Sequence, residues 1–259
     1  MKKILFIPDT QVQPNHDTSH LQALGNYVVE HQPDIIVHAG DHWDMASLSS
    51  YDKGKLAAEG ARYQDDIDAG IEALERFDGP INVYNNQRSG WKKRKYLPEK
   101  HFLCGNHEER IERHVQTYPY LKGKLSYGDF KLRSSSWKFH PFLFPVHIHG
   151  IYFSHYWTNP DSVTGMPFGC STDTQLTKLG FSFVQGHRQG LYTASPRFLP
   201  NGKVIRGLIA GSFYQADFHY RGNQGVNHWR GAIQLNEVDG TGWFSPIELS
   251  IEYLLKRWY

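Results

Sequence analysis

Thiol chemistry is nearly missing from this chain: 259 residues include only two cysteines, Cys104 and Cys170. They form no CxxC pair and no disulfide framework, which argues against a stapled mini-fold or a thiolate zinc site and suits a reducing, cytoplasmic setting. Long apolar runs are missing too. No stretch approaches the roughly 20 apolar residues that span a bilayer, so no membrane partner is expected. The opening MKKILFIPDT imitates an export signal, but its apolar segment, Ile4 to Ile7, is cut short by Pro8 and Asp9. Nor is there an excess of one charge. A formal net charge of +2 is too small to attract a polyanion by itself, so a nucleic-acid partner has to be read from a local patch.

What is present is 39% hydrophobic and 14% aromatic residues with charge interspersed, enough for a substantial core. No composition shift marks a boundary, so residues 1–259 are expected to form a single domain with an insertion around 46–100. KILFIP (3–8) and DIIVHAG (34–40) are β-rich runs. Between them Leu21, Leu24 and Val28 suit an amphipathic helix over 18–31. A second helix is expected over 55–77, with Ile67, Ile71 and Leu74 on one face, before the strand HFLC (101–104). This order implies parallel pairing through a right-handed crossover. Downstream, VHIHGIYFSH, FSFVQGH, KVIRGLIAGSF and WRGAIQLNEVDGTGWFSPIELS read as strands punctuated by Gly and Pro, with a hairpin at Asp239-Gly240. The expected fold is mixed α/β with a largely antiparallel second half.

Five apolar runs end in polar clusters: PDTQ, AGDHWD, CGNHEER, FSHYW and QGHRQG. Any one of them reads as an ordinary turn, and the acidic residues after Asn106-His107 as a helix's first turn. Five in succession, at the strand ends where α/β proteins gather ligands, point to a site. Asp9, Asp41, Asn106, His155 and His187 supply carboxylate, amide and imidazole donors suited to Mn, Fe or Zn, singly or as a pair. In extended backbone, residues i and i+2 point the same way, so Gln11 can accompany Asp9 and Gln189 can accompany His187. Gly40, Gly105 and Gly186 remove a side chain just before each ligand.

The order of these motifs resembles the calcineurin-like metallophosphoesterase superfamily, in its stand-alone phage and bacterial form. DTQ, GDHWD, GNHE, SHY and GHRQ stand where that family has Asp-x-His, Gly-Asp-x-x-Asp, Gly-Asn-His-Asp/Glu, a lone His and Gly-His-x-His. The resemblance implies a two-sheet mixed β-sandwich flanked by helices, holding two divalent metal ions side by side. Asp41 would bridge them; Asn106, His155 and His187 would complete the second position, and Asp9, Gln11 and Gln189 the first. Such a pair clamps a phosphate and lowers the pKa of a bound water from 15.7 toward 7. Asn106 and His107 would face the substrate, with His107 stabilising or protonating the leaving oxygen and Asp44 orienting it. The sequence departs from the family at Gln11 and Gln189, where histidines are usual. A glutamine carbonyl is a weaker, harder donor than imidazole, so the first position is expected to bind less tightly and to prefer Mn, with Mg as a further candidate.

Other residues have blander readings. His149 in a continuous strand would lie some 20 Å from His155 unless the chain reverses at Gly150. His147, His149, His38, His101, His140, His219 and His228 are therefore read as ordinary residues. His42 is read chiefly as structural, with substrate contact as the other option. RSGWKKRKYLPEK (88–100) sets six basic residues around Trp91 and Tyr96. It is either a solvated loop or a surface for single-stranded nucleic acid. Arg110 and Arg113 follow GNHE on an expected helix whose N-terminus favours phosphate, with Arg113 on its solvated flank. WTNPDSVTGMPFG (157–169) is a candidate rim loop, and IEYLLKRWY a last strand or short helix. The function expected is hydrolysis of a nucleic-acid or nucleotide phosphodiester. The alternatives are a protein phosphatase and a metal-weakened, non-catalytic binding module.

Overall fold

A computed structural model describes residues 1–50, 54–55, 59–88, 90, 94–132, 135–215 and 228–259. Its first unit follows the pattern in the sequence. Strand β1 (Lys2–Ile7) leads through helix α1 (Ser19–His31) to β2 (Ile35–His38), and the strands pair in parallel with Ile4 opposite Ile35. Leu21, Leu24 and Val28 of α1 are buried, as their spacing demands.

The second helix differs from expectation: α2 runs Tyr63–Asn86, starting later than 55 and continuing past 77 through Pro80. Two features carry it past the Asp78-Gly79-Pro80 breaker. Ile81 continues the buried stripe of Ile67, Ala73, Leu74 and Phe77. Asp78 also accepts hydrogen bonds from buried Lys100 (2.6 Å) and from the Trp137 indole (3.1 Å), tying the helix to the sheet below. A proline deletes one helical hydrogen bond, and tertiary contacts outweigh that loss here.

Strands β3 (Glu99–Leu103) and β4 (Trp137–His140) extend the parallel run, and α3 (Arg110–Thr117) follows β3. Then come β5 (Val146–Ile148), β6 (Ile151–Ser154), α4 (Thr172–Leu179), β7 (Phe183–Gln185) and β8 (Leu191–Thr193). The chain ends with β9 (Arg197–Phe198), β10 (Val204–Ile205), β11 (Gly207–Ala210), β12 (Gly231–Val238), β13 (Ser245–Ser250) and α5 (Ile251–Trp258). The C-terminal segment is thus a short helix.

One sheet has the order β13-β12-β1-β2-β3-β4, a second β5-β6-β7-β11-β8, and β9-β10 form a small ribbon. The second half is largely antiparallel as expected, in the pairs β5-β6, β8-β11, β9-β10, β12-β13 and β12-β1, but it also contains a parallel run, β6-β7-β11, that the sequence pattern did not announce. The crossover from β6 to β7 uses the short helix α4. Its start is fixed by Ser171, which accepts the Thr174 N–H, and its end by Gly180 at φ 71°. The β12–β13 hairpin is present, though residues 239–244 join the strands instead of a two-residue turn.

Burial explains the layering. Ile4, Phe6, Val37, Leu103 and Ile233 of the first sheet share one apolar cluster with Ile151, Phe153, Val184 and Leu208 of the second. The other face of the first sheet packs on α1, α2 and α5, and Leu176 of α4 packs on Phe183 and Ile209 of the second sheet. Because β1, β2 and β3 run parallel, as do β6 and β7, the residues following them gather at strand C-terminal ends. Among the described residues no helix is long and apolar enough to cross a membrane.

Candidate metal centre

The loops after these strands are bent into unusual backbone. Gln11, Asp41 and His187 adopt positive φ, at 42°, 46° and 64°. For residues with a Cβ this costs energy and persists only where surrounding contacts enforce it, a pattern concentrated at functional sites. Glu108 supplies much of that enforcement. Its fully buried carboxylate accepts the backbone N–H groups of Asp41 (2.8 Å), His42 (2.7 Å), Trp43 (3.0 Å) and Gly105 (2.8 Å), clasping the GDHW turn against the GN turn. The sequence suggested only a helix-starting acid here, so this role was missed. The legible signal was the acid's position within GNHE.

The glycines matter for close approach. A Cβ on Gly105 would lie 2.1 Å from Asp41 Oδ1, and one on Gly186 would lie 2.4 Å from Asp9 Oδ1. Any larger residue would push into one of these two buried carboxylates.

Asp41, His155 and His187 bring one donor atom each to within 4.8 Å of one another. His155 is the best defined. Its Nδ1 lies 2.9 Å from the Ala39 carbonyl, which must receive a proton from it. Nε2 then faces Asn106 Oδ1 at 2.9 Å and Asp41 Oδ2 at 3.4 Å. Fixing Nδ1–H on a carbonyl is the usual way a protein directs Nε2 to a metal. Two donors bonded to one ion at about 2.1 Å and at roughly right angles sit about 3 Å apart, so these separations fit a divalent cation. Without metal, the same three acceptors suit an imidazolium. Burial opposes charge on His155, but Asp41 beside it prevails and raises the ring to about 9. Burial, reinforced by His155, lowers His187 to about 4.

Asp9 sits at the edge of this cluster. Both its carboxylate oxygens accept the His187 N–H, at 3.0 and 3.1 Å. Burial pushes its carboxyl up to about 8, against the pull of His155 and with the added repulsion of Asp41. The two glutamines are near by chain position, and each is engaged. Gln11 donates its N–H to the Asp41 carbonyl (2.8 Å). Gln189 Oε1 accepts the Tyr214 hydroxyl (2.8 Å), and that hydroxyl also lies 3.2 Å from His228 Nε2. Tyr214 was not singled out in the sequence, and His228 was read there as ordinary.

His107 stands over the cluster. Its backbone N–H donates to Asp41 Oδ1 (2.8 Å), its Nε2 lies 3.7 Å from Asp41 Oδ2, and its Nδ1 lies 2.9 Å from Asp44 Oδ1. Burial alone would lower its pKa; Asp41 and Asp44 reverse that and raise it. Asp44 is itself held, by Gln13 Nε2 on Oδ2 (2.5 Å) and by Arg110, which donates to its backbone carbonyl (2.7 Å).

Other candidates fall elsewhere. Arg110 donates through one guanidinium nitrogen to the Asp44 (2.7 Å) and Met45 (3.2 Å) carbonyls, whereas Arg113 is exposed on the helix flank as expected. His42 is fully buried between Thr10 Oγ1 (2.6 Å) and the Gly70 carbonyl (2.8 Å), which rules out substrate contact. The chain does reverse at His149-Gly150, but that turn begins β6 and His155 lies past its other end, so His147 and His149 remain outside the site. His38 stacks on Phe102, and His101 pairs with His140 at 2.9 Å. Trp91 and Lys92-Lys93 of the basic stretch, and His219, lie outside the described residues. Tyr96 packs inward, its hydroxyl donating to the Pro33 carbonyl (2.6 Å), so it is no stacking platform.

No protein-family model matches the chain. It is similar to the Gene 54 protein of Mycobacterium phage L5, 35% identical over 88 residues covering 32% of this chain and 34% of that protein. It is also similar to the Gene 54 protein of Mycobacterium phage D29, at 34% over 91 residues with the same coverage. The chain therefore spans about a third of the length of these relatives.

Proposed function

We propose that this chain is a metal-dependent phosphoesterase, acting on phosphodiester bonds of nucleic acid or nucleotides. The observation that carries the reading is the convergence of Asp41, His155 and His187 beneath a histidine already paired with its own carboxylate. The layered sheets, joined by a shared apolar cluster and covered by helices, support the two-sheet sandwich of calcineurin-like metallophosphoesterases. Asn106, Asp41, His155 and His187 would hold one divalent ion. Asp9 and Asp41, with Gln11 and Gln189, would hold a second, weaker one, with Mn preferred. Bound ions would supply charge stabilisation for the phosphoryl group and an acidified water.

The chain's own contribution is the proton. Asp44 fixes His107 with Nδ1 toward itself, and in the metal-free protein Asp41 and Asp44 raise the pKa of the ring, favouring its protonated form. Nε2–H is thus presented on the metal side, where a leaving oxygen needs protonation. A binding protein has little need of such an acid with its orienting carboxylate. The Tyr214 bond to Gln189 supports the weaker first position, because it competes for the amide oxygen. Hydrolysis of bis(p-nitrophenyl) phosphate with Mn, lost in Asp41→Asn and His107→Ala, is the expected result. Absence of turnover with Mn, Mg, Fe and Zn alike would overturn the proposal.

A further inference from the structure

Beside the metal-facing histidines lies an aromatic shelf that the proposed chemistry leaves unused. The Tyr156 ring stands 4.7 Å from His187 and 5.7 Å from His155. Phe142, in the turn after β4, meets Tyr156 edge to face at 5.7 Å and lies 6.3 Å from His155. Both rings are half-buried, and exposed Arg113 holds its guanidinium 5.9 Å from the Phe142 centroid. Phe102, Phe153 and Phe183 are fully covered, whereas Phe142 and Tyr156 keep part of their surface exposed beside the buried polar cluster of Asp41, His155 and His187.

We infer that Phe142, Tyr156 and Arg113 form a base-stacking subsite for a nucleotide whose phosphate lies at the metal centre. This rests on the phosphoesterase reading and names the substrate class for that same site. A phosphate held at His155 and His187 would leave its nucleoside beside the Tyr156 and Phe142 rings, which stand 5.7 Å and 6.3 Å from His155. Aromatic faces bind any base, and a guanidinium adds cation–π attraction and pairs with the next phosphate. The contact is sequence-tolerant, so it selects nucleotides over plain phosphate esters without reading a base.

The test compares binding of thymidine 5′-monophosphate and 2-deoxyribose 5-phosphate to the Mn-loaded protein by calorimetry, which needs no turnover. The expected result is a preference for the nucleotide of about ten-fold or more, the range for one stacked base. Phe142→Leu, which keeps apolar bulk but removes the π-face, should abolish that preference while retaining sugar-phosphate and Mn binding. Equal affinity for the two ligands in the unaltered protein would overturn the subsite and leave the metal reading standing. Phenyl phosphate binding more tightly than the nucleotide would overturn it in favour of phosphotyrosine peptides. Failure to bind either sugar phosphate or nucleotide with Mn would remove the phosphoesterase reading and the subsite together.

Discussion

Metal binding at this centre should be a competition with the proton on His155. In the metal-free protein His155 stays protonated up to about 9 because Asp41 and Asn106 face its Nε2 while Ala39 holds Nδ1. A cation must displace the Nε2 proton, so affinity falls as pH drops below that value. Raising pH from roughly 6.5 to 8.5 should tighten binding at this position by about 80-fold, the ratio of deprotonated ring at the two pH values. Asp9, whose carboxyl burial raises in the metal-free protein, gives the weaker position a further rise in the same direction. Calorimetry with Mn in buffers of different ionisation enthalpy counts the released protons. At pH 7 the expected count for the tighter position is close to one, on this competition argument. Mn affinity that is flat across this range, with no proton release, would refute the assignment of His155 as a ligand.

Other outcomes follow from individual contacts. Glu108→Gln puts an amide NH2 against backbone donors in a sealed pocket, which should cost on the order of 3 kcal/mol in urea denaturation; an unchanged midpoint would deny Glu108 its clasping role. Asp44→Asn removes one of the carboxylates that hold His107 above its ordinary pKa, so the ring should deprotonate at lower pH in an NMR titration of the metal-free protein. The acid form exists below that pKa, so the alkaline limb of turnover should move to lower pH as well. An unmoved titration would show that Asp41 alone sets it. Tyr214→Phe frees the Gln189 oxygen from a competing donor, so Mn should bind the weaker position a few-fold more tightly, within the roughly 1 kcal/mol of one neutral hydrogen bond. No change, or weaker binding, would show that the hydroxyl orients the amide instead.

Much of this centre was legible because its donors sit directly after apolar runs, where strand ends are marked by Gly and by a switch to polar residues. Asp41, Asn106, His107 and His187 carried both signs, and Asp9 and His155 carried the polar switch alone. Residues acting through tertiary contacts carried none. Glu108 looked like any first-turn acid until the GDHW turn was folded over it, and Tyr214 lies in a stretch without a polar cluster of its own. Phe142 and Tyr156 were not singled out in the sequence, because nothing in a one-dimensional pattern distinguishes a covered ring from a part-exposed one. The fold was missed in places for similar reasons. The parallel β6-β7-β11 run depends on an eight-residue crossover helix with little periodicity, and α2 passes a Gly-Pro pair because Asp78 and Ile81 anchor it from outside. His42, read chiefly as structural from its motif, is held between Thr10 and the Gly70 carbonyl in keeping with that reading.

The most direct test is diffraction at the manganese absorption edge from crystals grown with Mn. A strong anomalous peak is expected within bonding distance of Asp41, Asn106, His155 and His187, and a weaker one toward Asp9 and Gln11. Ordered manganese bound elsewhere on the protein, with these side chains left free of any ion, would contradict it.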